Sequence, residues 1–203
     1  MTQNTSHAVM AQRHEAHDSL DDFPTPPWAV RALMEYVIGK PHGTTCWEPA
    51  CNRGYMVRPL REYFTSVYAS DVHDYGWKEQ DAVVDFLLPG FEPPQIIDWI
   101  ITNPPFRLAQ QFAERALYLR PTQGFALLTR TAFLEGGKRY EEMFSVFPPV
   151  TVAQFVERVP MVKGRHDPDA STATAYCWIV WRPAGLNVPT EFVWIPPCRR
   201  QLQ

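Results

Sequence analysis

The chain has 203 residues, 45% of them hydrophobic and 20% charged, with a formal net charge of −3. That length suits one domain with a sizeable core and leaves little room for two. The charge excludes an overall basic field, so contacts to a nucleic acid would have to come from local clusters of Lys and Arg. No apolar run reaches the roughly 18 residues of a membrane span, and the polar, histidine-bearing start is not a signal peptide. Cys46, Cys51, Cys177 and Cys198 lack metal-ligand spacing and read as reduced thiols of a cytoplasmic protein.

Residues 1–21 carry no apolar period and read as a flexible tail, with His7, His14 and His17 as solvated side chains. Asp22-Phe23-Pro24-Thr25-Pro26-Pro27-Trp28 then leads into apolar positions at Val30, Leu33, Met34 and Val37, a helical period with prolines in its first turn. Such a start offers free amides to an anion, with Thr25 beside them. Thr44 to Gly54 reads as a short strand entering a tight turn, followed by a helix from about Tyr55 to Tyr63. Ala50, Cys51 and Gly54 are small enough for a ligand to approach the backbone, and Asn52 tolerates a positive φ better than most residues. Ser66 to Val72 is the second strand and ends in Asp71. An acid roughly 20 residues past the turn is where nucleotide-binding α/β folds grip ribose hydroxyls. Asp81 to Leu87 follows, with Asp85 and Phe86.

The stretch from Ile96 to Phe106 organises the rest. A β-branched, apolar run suits a strand covered on both faces, and it stops at Asn103, Pro104 and Pro105, because prolines cannot continue a central strand. Ligands of open α/β sheets gather at strand carboxyl ends, which puts Asn103 at the mouth of a cleft. An aromatic exocyclic amine is a poor nucleophile because its lone pair is delocalised into the ring. Two acceptors on its hydrogens free that lone pair, and the Asn103 side-chain oxygen and the Pro104 carbonyl are the candidates. Phe106 offers a face for a base, and no strong general base is needed, so the device is electrostatic preorganisation.

Arg107 to Leu119 is an amphipathic helix with Leu108, Phe112, Ala116 and Leu119 on one stripe. Gly124 to Thr129 is the fifth strand, Phe133 opens a short helix ending near Val146, and Val152 to Val159 with Thr174 to Trp181 form a closing antiparallel pair. The proline-rich stretch 183–203 is a carboxyl-terminal extension. Lys138, Arg139, Lys163 and Arg165 are the candidates for phosphate contacts, which give affinity without sequence information.

In this order, over residues 22–182, these motifs resemble the gamma-class amino-group methyltransferases that use S-adenosylmethionine, and more closely their small, phage-type members. The resemblance implies a catalytic domain over 22–182 with an α/β, Rossmann-like sheet of seven strands, mostly parallel with one antiparallel strand near the carboxyl end, and no separate target-recognition domain. It places Phe23, Thr25 and Pro26 at the methionine end of the cofactor. Glu48, Pro49, Ala50, Cys51 and Gly54 correspond to its Glu-Pro-Ala-Cys-Gly-x-Gly loop, with Asn52 in place of the first glycine. Asp85 would accept the cofactor's adenine amino group and Phe86 would pack on its ring. Asn103, Pro104, Pro105 and Phe106 match the catalytic Asn/Asp-Pro-Pro-aromatic signature. Met161 stands where the family often has an aromatic that sandwiches the target base. The implied activity is methylation of adenine N6 in DNA, on a base rotated out of its helix, without a metal. RNA adenine or a protein amide is the alternative substrate, and a non-catalytic cofactor- and nucleic-acid-binding protein is the alternative of another class. The implied partners are DNA or RNA and a second copy or an accessory recognition subunit, with no membrane.

Overall fold

The structure, a computed structural model, describes residues 21–41, 43–183 and 188–203. Of the expected tail over 1–21, residues 1–20, with the three histidines, lie outside the described residues. Eight strands form one sheet: β1 Thr45–Glu48, β2 Ser66–Asp71, β3 Ala82–Val83, β4 Trp99–Thr102, β5 Gly124–Arg130, β6 Thr151–Phe155, β7 Tyr176–Trp181 and β8 Glu191–Ile195. Their order across the sheet is β3-β2-β1-β4-β5-β7-β6-β8. All neighbours run parallel except β7, which lies antiparallel between β5 and β6.

The sequence reading counts seven strands, and the sheet has eight. The extra one is β8, from the stretch past Pro183, which pairs in parallel with β6. It is five residues long between Pro189 and Pro196, with Phe192 and Trp194 more than half exposed and Ile195 buried. So short an edge strand, bounded by prolines, gives little alternation to detect. The expected antiparallel pair is present as β6 and β7.

Alternation sorts the central strands onto two cores. Trp99 and Ile101 of β4, Ala126 and Leu128 of β5, and Trp178 and Val180 of β7 pack with helix α1, Pro27–Leu33. Ile100, Phe125, Leu127, Cys177, Ile179 and Trp181 point to the other face, against Phe112, Ala113 and Ala116 of helix α2, Ala109–Leu119. A strand with helices on both faces must be apolar on both, and β4 is buried at all four positions. The Trp178 indole N–H donates to the Ala29 carbonyl at 3.0 Å and fixes α1 to the sheet. The helix expected over Tyr55–Tyr63 is regular only over Val57–Leu60, because Pro59 is tolerated only in a first turn. Among the described residues no helix is long and apolar enough to cross a membrane.

Candidate active site

The strand order reverses between β1 and β4. From β1 the chain proceeds outward to β2 and β3, and from β4 it proceeds the other way to β5. At such a switch point the two connections leave in opposite directions and open a crevice beyond the strand carboxyl ends. A cleft is found there, lined after β1 by Pro49, Ala50, Cys51, Asn52 and Tyr55, and after β2 by Asp71 and Tyr75. Asp85, Phe86 and Leu87 follow β3, Asn103 and Pro105 follow β4, and Asp21, Phe23, Pro24 and Thr25 close one side. Its described lining includes Asp21, Asp71 and Asp85 but no Lys or Arg, a balance that suits a cationic ligand.

The Asn103 amide is held from one end. Its Nδ2 donates to the Phe23 carbonyl at 3.1 Å and to Thr25 Oγ1 at 3.0 Å, with the Met161 sulfur at 3.6 Å. These three acceptors set the amide's orientation, since a reversed amide would turn its oxygen toward the Phe23 carbonyl. Oδ1 is left buried with no donor among the described residues. A buried acceptor without a donor is costly and rare in proteins, so an unpaired Oδ1 on a rigid amide at a cleft marks a place for a ligand N–H.

The turn after β1 is built from its own polar atoms. Asn52 adopts φ 50°, and its side-chain oxygen accepts the Arg53 N–H at 2.6 Å. Asp71 accepts the N–H of Asn52 at 2.9 Å and of His73 at 3.0 Å. Burial pushes the Asp71 carboxyl above the usual carboxylate range, and those two N–H groups oppose the shift. A carboxylate has about four lone-pair positions, so two remain for hydroxyls of a ligand. Glu48 lies fully buried beneath the turn and accepts the Ala50 N–H at 2.9 Å. Burial pushes its carboxyl up to about 8, against the opposing Ala50 N–H. Burial likewise raises the Cys51 thiol, which stays a neutral part of the wall.

Of the residues singled out from sequence, Phe23, Thr25, Pro49, Ala50, Cys51, Asp71, Asp85, Phe86, Asn103 and Pro105 meet in this cleft. Phe86 is also core, with its ring 5.0 Å from Trp47 and 4.8 Å from Phe112. Pro26 lines a separate hollow with Trp28 and Arg31. At the α1 start, where an anion site is expected, several donors are missing or taken. Pro26 and Pro27 have no N–H, the Ala29 N–H is taken by the Pro26 carbonyl at 2.9 Å, and Thr25 is engaged with Asn103. A side chain at Gly54 (φ 76°) would run into the Trp77 ring. Pro104 is buried. Phe106 sits beside the cleft, 5.4 Å from the Phe23 ring.

Met161 is buried against the Asn103 amide and does not stand out as a cover for a base. The basic candidates stay away from the cleft. Lys138 pairs with Glu142 at 3.6 Å, Arg165 with Asp167 at 3.1 Å, and Arg139 lies over the Phe133 ring while donating to the Phe133 carbonyl at 2.7 Å. Lys163 does not line it either.

Sequence reasoning missed Asp21, Asp22 and Tyr75. Asp21 accepts the Phe106 N–H at 2.5 Å. Asp22 accepts from Asn52 Nδ2 at 2.5 Å and pairs with Arg53 at 2.9 Å, while its carbonyl accepts the Gly164 N–H at 2.8 Å. The segment Asp21–Thr25 therefore clasps the two turns that form the cleft. Its only sequence signal was an acidic pair before Phe23. Among the described residues no three His, Cys, Asp or Glu side chains converge as a metal would require.

No protein-family profile and no curated protein sequence matches this chain. Solved structures do. A protein described as a modification subunit of a type I restriction enzyme from Vibrio vulnificus YJ016 aligns at TM-score 0.59 and 17% identity, covering 93% of this chain and 50% of that one. A type I restriction-modification methyltransferase subunit from Streptococcus thermophilus aligns at TM-score 0.59 and 11% identity, covering 85% and 48%. The 23S rRNA methyltransferase ErmE aligns at TM-score 0.52 and 15% identity, covering 78% and 67%. This chain thus spans about half the length of the two restriction-modification subunits. The fold is the one these methyltransferases have, a mixed α/β sheet opening a crevice at its switch point.

Proposed function

We propose that this chain methylates the exocyclic N6 amine of adenine in DNA, using S-adenosylmethionine. The observation that carries the proposal is the Asn103 amide, tethered through its nitrogen with its buried oxygen unpaired at the crevice. That oxygen accepts one hydrogen of the incoming amine, and the Pro104 carbonyl is assigned the other. Together they draw the nitrogen toward tetrahedral geometry and free its lone pair. Phe106 stacks on the base, which has left its helix, because N6 inside a duplex is out of reach.

The cleft fits the cofactor by charge and by donor set. Its acidic lining suits a sulfonium and an ammonium, Asp71 retains acceptor capacity for ribose hydroxyls, and Phe86 with Asp85 supplies an apolar wall and an acceptor for an adenine ring. When bound, the cofactor supplies an electrophilic methyl group on sulfur. The Asp85 carboxylate is preset by the Leu87 N–H on Oδ1 at 2.9 Å, which leaves its second oxygen for the adenine amine.

The second reading keeps the chemistry and changes the polymer to RNA. It is favoured by the likeness to ErmE, a 23S rRNA methyltransferase. Expression in a host lacking DNA methylation, digestion of DNA and RNA to nucleosides and mass spectrometry separate the two. N6-methyladenine in DNA is the expected product, its appearance in RNA alone selects the second reading, and neither in any fraction removes both.

A further inference from the structure

Arg130 ends β5 as the one exposed residue of an otherwise buried strand. It stands at the carboxyl edge of the sheet, in register opposite Tyr176 and on the strand next to β4, which leads into Asn103. Its guanidinium lies over the Phe106 ring, 4.1 Å from the centroid. The other rings around Phe106 meet it at a tilt, Phe23 at 42° and Tyr176 at 36°. A planar cation therefore covers one face of the Phe106 ring, three residues along the chain from Asn103. Arginine stacks on aromatic rings and bonds phosphate in a planar fork, so it has two partners of comparable geometry.

The reading of Phe106 as the platform for the target base rests on the function proposed above, and it creates a conflict. A base and a guanidinium cannot both lie against the same face of one phenyl ring. The guanidinium is on an exposed side chain, whereas Phe106 is held by the Asp21 carboxylate on its N–H and by Phe23 and Tyr176 around its ring. The side chain that gives way is Arg130. We propose that Arg130 is a placeholder and anchor. In the free protein it covers Phe106, and on binding nucleic acid it yields that face to the target adenine and takes a backbone phosphate beside the extruded nucleotide. Lys138 is paired with the Glu142 carboxylate and Arg165 with that of Asp167, whereas the Arg130 guanidinium has the Tyr176 hydroxyl as its hydrogen-bond partner. Arg130 brings a positive charge to the rim of an acidic cleft, where a phosphate most needs one.

Full-length wild type, Arg130→Lys and Arg130→Ala are each titrated with an adenine-containing DNA duplex, its single strands and the matching RNA, over about 50 to 200 mM salt. Methyl transfer to the same polymers is measured in parallel. For Arg130→Ala the slope of log K against log salt should become shallower by about 0.9 on duplex DNA, or about 0.7 on a single strand, the loss of one phosphate contact. Arg130→Lys should keep the wild-type slope, because the phosphate needs the charge and not the guanidinium plane. An unchanged slope in Arg130→Ala, beside normal methyl transfer by the wild type, overturns the inference and leaves the adenine reading standing. Equal losses in Lys and Ala variants without a slope change also overturn it, since they mean that the base stacks on the guanidinium itself. A wild type that binds these polymers but methylates no adenine overturns the adenine reading, and with it the base's place on Phe106.

Discussion

Replacing Thr25 by Val distinguishes two roles for this residue. The resemblance puts its hydroxyl at the methionine end of the cofactor, whereas the structure has it accepting the Asn103 amide at 3.0 Å. Valine keeps the shape of the side chain, which is 2% exposed, and deletes only the hydroxyl. The amide nitrogen retains the Phe23 carbonyl at 3.1 Å for one hydrogen and the weakly accepting Met161 sulfur at 3.6 Å for the other, so the loss is at least that of one hydrogen bond. Such a bond contributes about 0.5–1.5 kcal/mol net. If it serves to aim Oδ1 in the transition state, the rate of transfer falls roughly 2- to 13-fold. Cofactor affinity, measured by calorimetry, should be almost unchanged. Single-turnover transfer of a labelled methyl group to oligonucleotides gives the rate. An unaltered rate would refute the positioning argument, and a loss of cofactor affinity as large as the loss of rate would refute it and restore the carboxylate role.

Asn103→Ala removes the acceptor itself, and transfer should fall by roughly 100-fold or more while cofactor binding stays close to normal; a variant as active as wild type would show that another atom receives the amine. Asp71→Asn withdraws the charge from a nearly buried acceptor and should raise the cofactor dissociation constant about 10- to 150-fold, whereas an equal constant by titration calorimetry contradicts the ribose assignment. Glu48 gives a pH signature of stability. Its carboxyl is raised from 4.5 to about 8 in the folded protein, so its favourable contribution is complete below pH 4.5 and is lost as the pH climbs to about 8. Glu48→Gln imitates the protonated form. It should melt close to wild type near pH 5 and above it at pH 8, by an amount of order a few kcal/mol; parallel melting curves across that range would count against a buried neutral Glu48.

Much of the site was legible because it is local in sequence. The strand-Asn-Pro-Pro-Phe stretch announces its own end, since a buried strand cannot continue through two prolines. The Glu48–Gly54 turn needs a residue that accepts positive φ, and Asn52 adopts φ 50° as that reading requires. The count of seven strands failed at β8, whose pattern is too short to be read, and whose place is given by pairing with β6 across some 40 residues of chain. Gly54 shows the limit in another way. Its smallness was plain, but the ring that demands it, Trp77, approaches from outside the turn.

What the sequence by itself determined is which chemical groups stand at the ends of which strands, because alternation, proline and small-residue turns act within a few residues of one another. Only the tertiary structure decided what those groups do to each other. Thr25, Asn103 and Met161 are separated by 78 and 58 residues in the chain, and their convergence depends on the sheet's switch point and on the clasp made by Asp21 and Asp22. An amide is aimed by its neighbours in space, and those neighbours are chosen by packing, which no local pattern encodes.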